Sequence, residues 1–202
     1  MGTGDQEALD VIVTADPDGT ISTRRVGWND EIGTAFEPTG PGNVNVSPTG
    51  EVAAQGLYLG HAAVARDPEI EQQLLAAADE ELDHLSWCEQ RLRELDAGPS
   101  RLRPLWYGGA WLIGAASGVL GDRWSLGFVE ETERQVAEHL SGHLERLPAG
   151  DVRSRAIITK MRDDEERHGA QAKQAGAGEL PTAVRRLMRA AAGVMTRTAY
   201  HW

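Results

Sequence analysis

Two short stretches repeat one chemically useful spacing. "DEELDHLSW" places Glu81 three residues before His84, and "RDDEERHGAQ" places Glu165 three residues before His168. On an α-helix this spacing sets both side chains on one face, with Cβ atoms roughly 5–6 Å apart. A carboxylate oxygen and an imidazole nitrogen so placed can hold one side of a metal ion. One Glu-x-x-His pair alone reads as the solvated face of an acidic helix. A second pair, with an isolated glutamate upstream of each, changes that reading: Glu51 stands thirty positions before Glu81, and Glu133 thirty-two before Glu165.

Caps and breakers outline the elements that must position these residues. Ser47 reads as an N-cap with Pro48 at the first helical position, opening a helix through "TGEVAAQGLYLGHAAVA", and Asp67 with Pro68 repeats the signal. That second helix extends to about Leu95 and stops at "AGP", 97–99. A third segment, 102–120, is apolar and Gly-rich. A fourth helix spans about Asp122 to Leu147 before Pro148, a fifth about Asp151 to Ala175 before Gly176, and a sixth runs from Pro181 to near the end. Strand signals stop at residue 46. Before it, "DVIVTA" and "GTISTRRV" flank the turn-like "DPDG" at 16–19, so residues 1–46 are expected to form a small hairpin or an irregular arm. The expected fold class is all-α, with residues 47–202 as the functional domain.

The chain therefore reads as two copies of a helix bearing one Glu followed by an antiparallel helix bearing Glu-x-x-His. That is the ligand arithmetic of a carboxylate-bridged di-iron centre in a four-helix bundle. The residue types suit it. Two dications a few ångströms apart repel; four glutamates offset that charge and bridge the ions, while one imidazole per ion leaves open positions for oxygen. Asp164, beside Glu165, and Glu80, its counterpart, are expected to accept the outward N–H of ligand histidines.

Composition narrows the function. At 202 residues the chain has room for a real core. A net charge of −11 and a pI near 5.0 argue against a nucleic-acid partner. The single cysteine, Cys88, excludes an internal disulfide and the cysteine-ligated electron-transfer iron of a rubrerythrin-like peroxidase. The N-terminus has neither a basic n-region nor an apolar run, which makes a cytoplasmic location the expectation. Leu105 to Gly121 is seventeen residues without a charge, short of the roughly 20 a span needs. It is expected to lie in a membrane interface, with Trp106, Tyr107 and Trp111 at the headgroup boundary; the alternative is an ordinary bundle-core helix in which Gly114 and Gly118 allow close packing. The 180–202 segment beside it carries Arg185, Arg186, Arg189 and Arg197 and no carboxylate side chain, which suits an anionic leaflet.

From Pro48 to the C-terminus the chain resembles the bacterial demethoxyubiquinone hydroxylases, the di-iron monooxygenases of ubiquinone biosynthesis. The resemblance rests on "TGEVAAQGLYLG" (49–60), "AADEELDHLSWCEQRLREL" (77–95), "LRPLWYG" (102–108), "GFVEETERQVAEHL" (127–140) and "MRDDEERHGAQA" (161–172). It implies a ferritin-like four-helix bundle with an additional apolar helical hairpin segment and a C-terminal amphipathic helix. It implies Glu51, Glu81, His84, Glu133, Glu165 and His168 as ligands of two iron ions, and His139 as a proton or electron relay. The implied reaction hydroxylates the benzoquinol ring of a polyprenylated demethoxyubiquinol with O2, NADH or a reduced quinone being the electron source. The implied location is peripheral, on the cytoplasmic side of the cell membrane, with Trp106, Tyr107 and Trp111 at the substrate's access route. Other proteins of ubiquinone biosynthesis and a second copy of the chain are further candidate partners. Pro48 stands where the family usually has His, and residues 1–46 look unlike the family's helical N-terminal arm. The competing expectation is a ferritin-like iron-binding or storage protein without hydroxylase activity, against which the apolar 105–120 segment counts.

Overall fold

The computed structural model describes residues 10–15, 21–26, 48–94 and 100–201. The chain divides into two units, Met1–Phe36 and Glu37–Trp202. In the first, β1 (Asp10–Ala15) and β2 (Ile21–Val26) pair antiparallel, with Asp10 opposite Val26 and Ala15 opposite Ile21. The β-branched run Val11 to Thr14 suits the extended backbone. The "DPDG" turn and Ser47 lie outside the described residues.

The second unit is helical: α1 (Thr49–Ala62), α2 (Pro68–Glu94), α3 (Arg103–Gly118), α4 (Asp122–Arg146), α5 (Val152–Gln174) and α6 (Thr182–His201). Pro48, expected at the first helical position after a Ser47 cap, is itself the N-cap of α1, so the helix opens one position later than the sequence suggests; the Pro48 carbonyl accepts the bond from Val52 N at 3.2 Å. Asp67 opens α2 as expected: its carbonyl accepts from Glu71 N and its carboxylate from Glu69 N, each at 2.9 Å. Gly121, at φ +110°, turns the chain from α3 into α4, a conformation that costs any residue with a Cβ. Asp122, just after it, accepts from the backbone N–H of Arg66 and Asp67 at 3.0 Å, so the α1–α2 turn is tied to the start of α4. Asp151 caps α5 by accepting from Ser154 N at 3.0 Å.

α1, α2, α4 and α5 form a four-helix bundle, with α1 against α2, α4 against α5 and α2 against α5. Its apolar core joins Tyr58, Leu74, Ala78, Leu126, Val129 and Ala172. Buried Arg91 links the end of α2 to the start of α5, donating to Ser154 Oγ at 2.8 Å and Asp151 Oδ1 at 3.0 Å. The apolar segment forms α3, which packs on α1 and touches α4, while α6 touches α1 and α4. α3 and α1 meet backbone to backbone: a Cβ at Gly56 would sit 2.6 Å from the Tyr107 carbonyl oxygen, and one at Gly114 would collide with the Leu57 carbonyl. The opposite face of α3 is open, with Leu105, Leu112 and Ile113 exposed and Trp111 at 36% exposure. Among the described residues no helix is long and apolar enough to cross a membrane.

Candidate metal centre

Each bundle helix turns its singled-out side chains inward: Glu51 from α1, Glu81 and His84 from α2, Glu133 from α4, Glu165 and His168 from α5. Glu81, His84, Glu133 and Glu165 are each 1% exposed. They assemble as two overlapping groups, Glu51–Glu81–His84–Glu165 and Glu81–Glu133–Glu165–His168. Within each, one ligand-type atom from every residue lies within 4.8 Å of the others. Glu81 and Glu165 belong to both groups. The arrangement is thus two adjacent positions sharing a pair of carboxylates, each completed by one further carboxylate and one imidazole.

The donor atoms fit divalent cations. Both oxygens of Glu81 and of Glu165, Oε2 of Glu133, and Nδ1 of His84 and His168 are buried without a hydrogen-bond partner. Bare acceptors in a dry interior are costly unless a cation takes them. Protonation shows the same demand for positive charge. Burial, then repulsion from Glu165, holds the Glu81 and Glu133 carboxyls well above the usual carboxylate range. Burial pushes Glu165 the same way, but the neighbouring His168 and His84 imidazoles, with Nδ1 at 3.4 and 3.3 Å, and the Glu133 carboxyl outweigh it and bring Glu165 well below that range. Burial alone would lower His84, yet the carboxylates of Asp164, Glu165, Glu51 and Glu81 raise it well above the normal histidine value. A pocket that must retain protons to offset its own carboxylates is one that divalent cations would neutralise directly.

The outer edges of the imidazoles are anchored crosswise. His84 Nε2, on α2, is 3.1 Å from Asp164 Oδ2 on α5; His168 Nε2, on α5, is 3.1 Å from Glu80 Oε2 on α2. With Nδ1 turned inward to ligate a cation, Nε2–H is the donor at the outer edge. Lys160 Nζ and Arg167 also donate to Asp164 at 2.8 Å, and Arg167 donates to Glu80 at 2.5 Å. The bond from His168 is the chief cause that brings Glu80 down to about 2, so it stays an acceptor at neutral pH. An open groove of about 430 Å³ between α2 and α5, lined by Gln73, Glu80, His168 and Gln171, leads from solvent to this edge.

Sequence reasoning passed over Tyr58. It is buried, and its Oη donates to Glu133 Oε1 at 2.6 Å. The available signal was its place seven residues after Glu51, on the same helix face. His139 stands outside both groups, exposed on α4, with Nε2 2.9 Å from His143 Nε2. Trp106, Tyr107 and Trp111 lie on α3, also outside the groups.

The sequence profile of the ubiquinone biosynthesis protein COQ7 matches residues 42–199, which include all six inward-facing side chains. The chain belongs to the COQ7 family. Among its relatives, the 3-demethoxyubiquinol 3-hydroxylase of Ralstonia pickettii (strain 12J) is 60% identical over 79% of this chain and 73% of its own length. Those of Cupriavidus pinatubonensis (57%, over 79% of this chain and 77% of the relative) and Acidovorax sp. strain JS42 (56%, over 78% and 77%) are similar. The COQ7 match omits β1 and β2, covers α1 to α5 in full and covers α6 up to residue 199. With the family comes the ferritin-like description of the bundle, to which α3 and α6 are the additions.

Proposed function

We propose that this COQ7-family chain is a di-iron monooxygenase that hydroxylates the ring of a polyprenylated demethoxyubiquinol in ubiquinone biosynthesis. The observation that carries the reading is the pair of carboxylate–imidazole positions sharing Glu81 and Glu165, inside a chain 60% identical to a 3-demethoxyubiquinol 3-hydroxylase. Glu51, Glu81, His84 and Glu165 would hold one ion, and Glu81, Glu133, Glu165 and His168 the other. When bound and reduced, the iron pair supplies activation of O2, one oxygen atom going to the ring and the other, with two electrons and two protons, to water.

The chain's own residues do the rest. Glu81 and Glu165, common to both groups, would hold both ions; Asp164 and Glu80 keep the two imidazoles in one tautomer and orientation; the core around Tyr58 excludes water. NADH or a reduced quinone supplies the electrons, and His139, at the rim of α4, relays protons or electrons. The open face of α3, with Trp106, Tyr107 and Trp111, and the arginines of α6 lie on an anionic membrane surface, peripheral and on the cytoplasmic side. There the polyprenyl tail stays in the bilayer while the ring reaches the bundle. Residues 47–202 carry the chemistry. Other ubiquinone-biosynthesis proteins and a second copy of the chain are the partners this placement admits.

The test is turnover of demethoxyubiquinol by iron-loaded protein with a reductant under ¹⁸O2. One ¹⁸O atom in the ring hydroxyl is the expected result. Iron uptake without any ring hydroxylation would favour an iron-binding or storage role instead.

A further inference from the structure

The two halves of the repeat differ seven residues after the single glutamate. Seven residues after Glu51, on the same face of α1, Tyr58 donates its hydroxyl to Glu133 Oε1 at 2.6 Å. Seven residues after Glu133 stands Leu140, a buried side chain with no polar atom. Glu133 is therefore anchored by a phenol, and the repeat provides no equivalent anchor for Glu51. Among the described residues, Glu51 meets His84 Nδ1 at 3.7 Å. With Oε1 engaged, Glu133 presents one free oxygen, Oε2, to the centre. The Tyr58 ring also meets the His168 imidazole edge-on, centroids 6.1 Å apart, so the same residue braces two members of one group. Both imidazoles are held from outside, His84 by Asp164 and His168 by Glu80, so the asymmetry lies in the carboxylates.

Resting on the reading of the six side chains as metal ligands, we propose that Tyr58 is a positioning residue that makes the two metal positions unequal. The Glu81–Glu133–Glu165–His168 position holds its ion more tightly, because its terminal carboxylate is already fixed before the ion arrives. The other position holds its ion more loosely, and Glu51 is the carboxylate free to swing aside and open room beside that ion.

The test titrates the metal-free full-length chain with Co²⁺, followed by visible absorption and calorimetry. Wild type is expected to fill in two steps of different affinity. Tyr58→Phe, which removes only the hydroxyl, should weaken the tighter step about 10–100-fold and leave the weaker one in place. Glu51→Gln should abolish the weaker step and preserve the tighter, a second variant that does not disturb the Tyr58 ring. An unchanged tighter step in Tyr58→Phe, with its metal-free melting temperature also unchanged, overturns the inference, as does loss of the tighter step in Glu51→Gln. Wild type that takes up no Co²⁺ overturns the ligand reading beneath it.

Discussion

The imidazole of His84 and the carboxylate of Asp164 meet at 3.1 Å although eighty positions separate them, and each belongs to a different copy of the repeat. The pairing of His168 with Glu80 is its mirror. Each copy supplies the acceptor that orients the other copy's histidine, so neither half of the centre is complete alone. Asp164→Asn weakens the acceptor and is expected to lower metal affinity about 10–100-fold, whereas Asp163→Asn, at an exposed carboxylate paired with Arg162, leaves it unchanged. Parallel Co²⁺ titrations decide; equal effects at both positions would contradict the role given to Asp164.

Three carboxylates crowd the stretch "VEETERQ", and the structure separates them. Glu133 turns into the centre, while Glu131 is held by Arg134 at 2.7 Å and Gln135 at 2.6 Å. Glu133→Gln should therefore cost metal loading and turnover, and Glu131→Gln should cost neither. Metal analysis of both purified variants checks this, and comparable losses would place α4 in the wrong rotation.

The outer face of α3 gives a membrane prediction. Leu112 is 64% exposed, Trp111 lies beside it, and the opposite face is occupied by close contact with α1. Trp111→Asp or Leu112→Asp should weaken binding to anionic liposomes and reduce turnover of a long-chain quinol far more than that of a short water-soluble analogue. Equal loss with both substrates would indicate a damaged fold, and unchanged liposome binding would remove α3 from the contact.

His61 makes stability depend on pH. It is fully buried, its Nδ1 is 2.5 Å from Ser125 Oγ, its Nε2 has no partner, and burial lowers its pKa to about 4. Unfolded, a histidine titrates near 6.5, so between about 6.5 and 4 the unfolded chain binds the proton and the folded chain does not. Stability must fall as pH drops through that window, by up to about 3 kcal/mol from this group. His143, also lowered to about 4, adds less because it is partly exposed. His61→Asn, which keeps a polar atom for Ser125, should flatten the loss seen in urea unfolding of metal-free protein at pH 6.5 and 4.5. An unchanged slope would show that His61 is already protonated in the fold.

Much of the cluster was legible because the residue types and periods that a metal site would need survive in sequence. Glu51, Glu81 and Glu165 could be placed on helices from signals such as Pro48 and Asp67 and the breakers Pro148 and Gly176, and from the spacings of thirty and thirty-two residues in the two copies. What spacing does not carry is which helix faces which. Tyr58 bonding Glu133, and Asp164 serving His84 rather than its own neighbour His168, depend on how α1 meets α4 and how α2 meets α5. The glycines show the same division. Gly114 and Gly118 suggest close packing, but only the fold names Leu57 and Val64 as what they pack against.

Iron content per chain is the most direct measure of the central claim. Protein reconstituted anaerobically with ferrous iron, then freed of excess metal, should retain about two irons per chain in wild type, and Glu81→Ala, which removes a carboxylate common to both positions, should lose both. Wild type without iron, or Glu81→Ala that keeps the full complement, would contradict a centre built on shared Glu81 and Glu165.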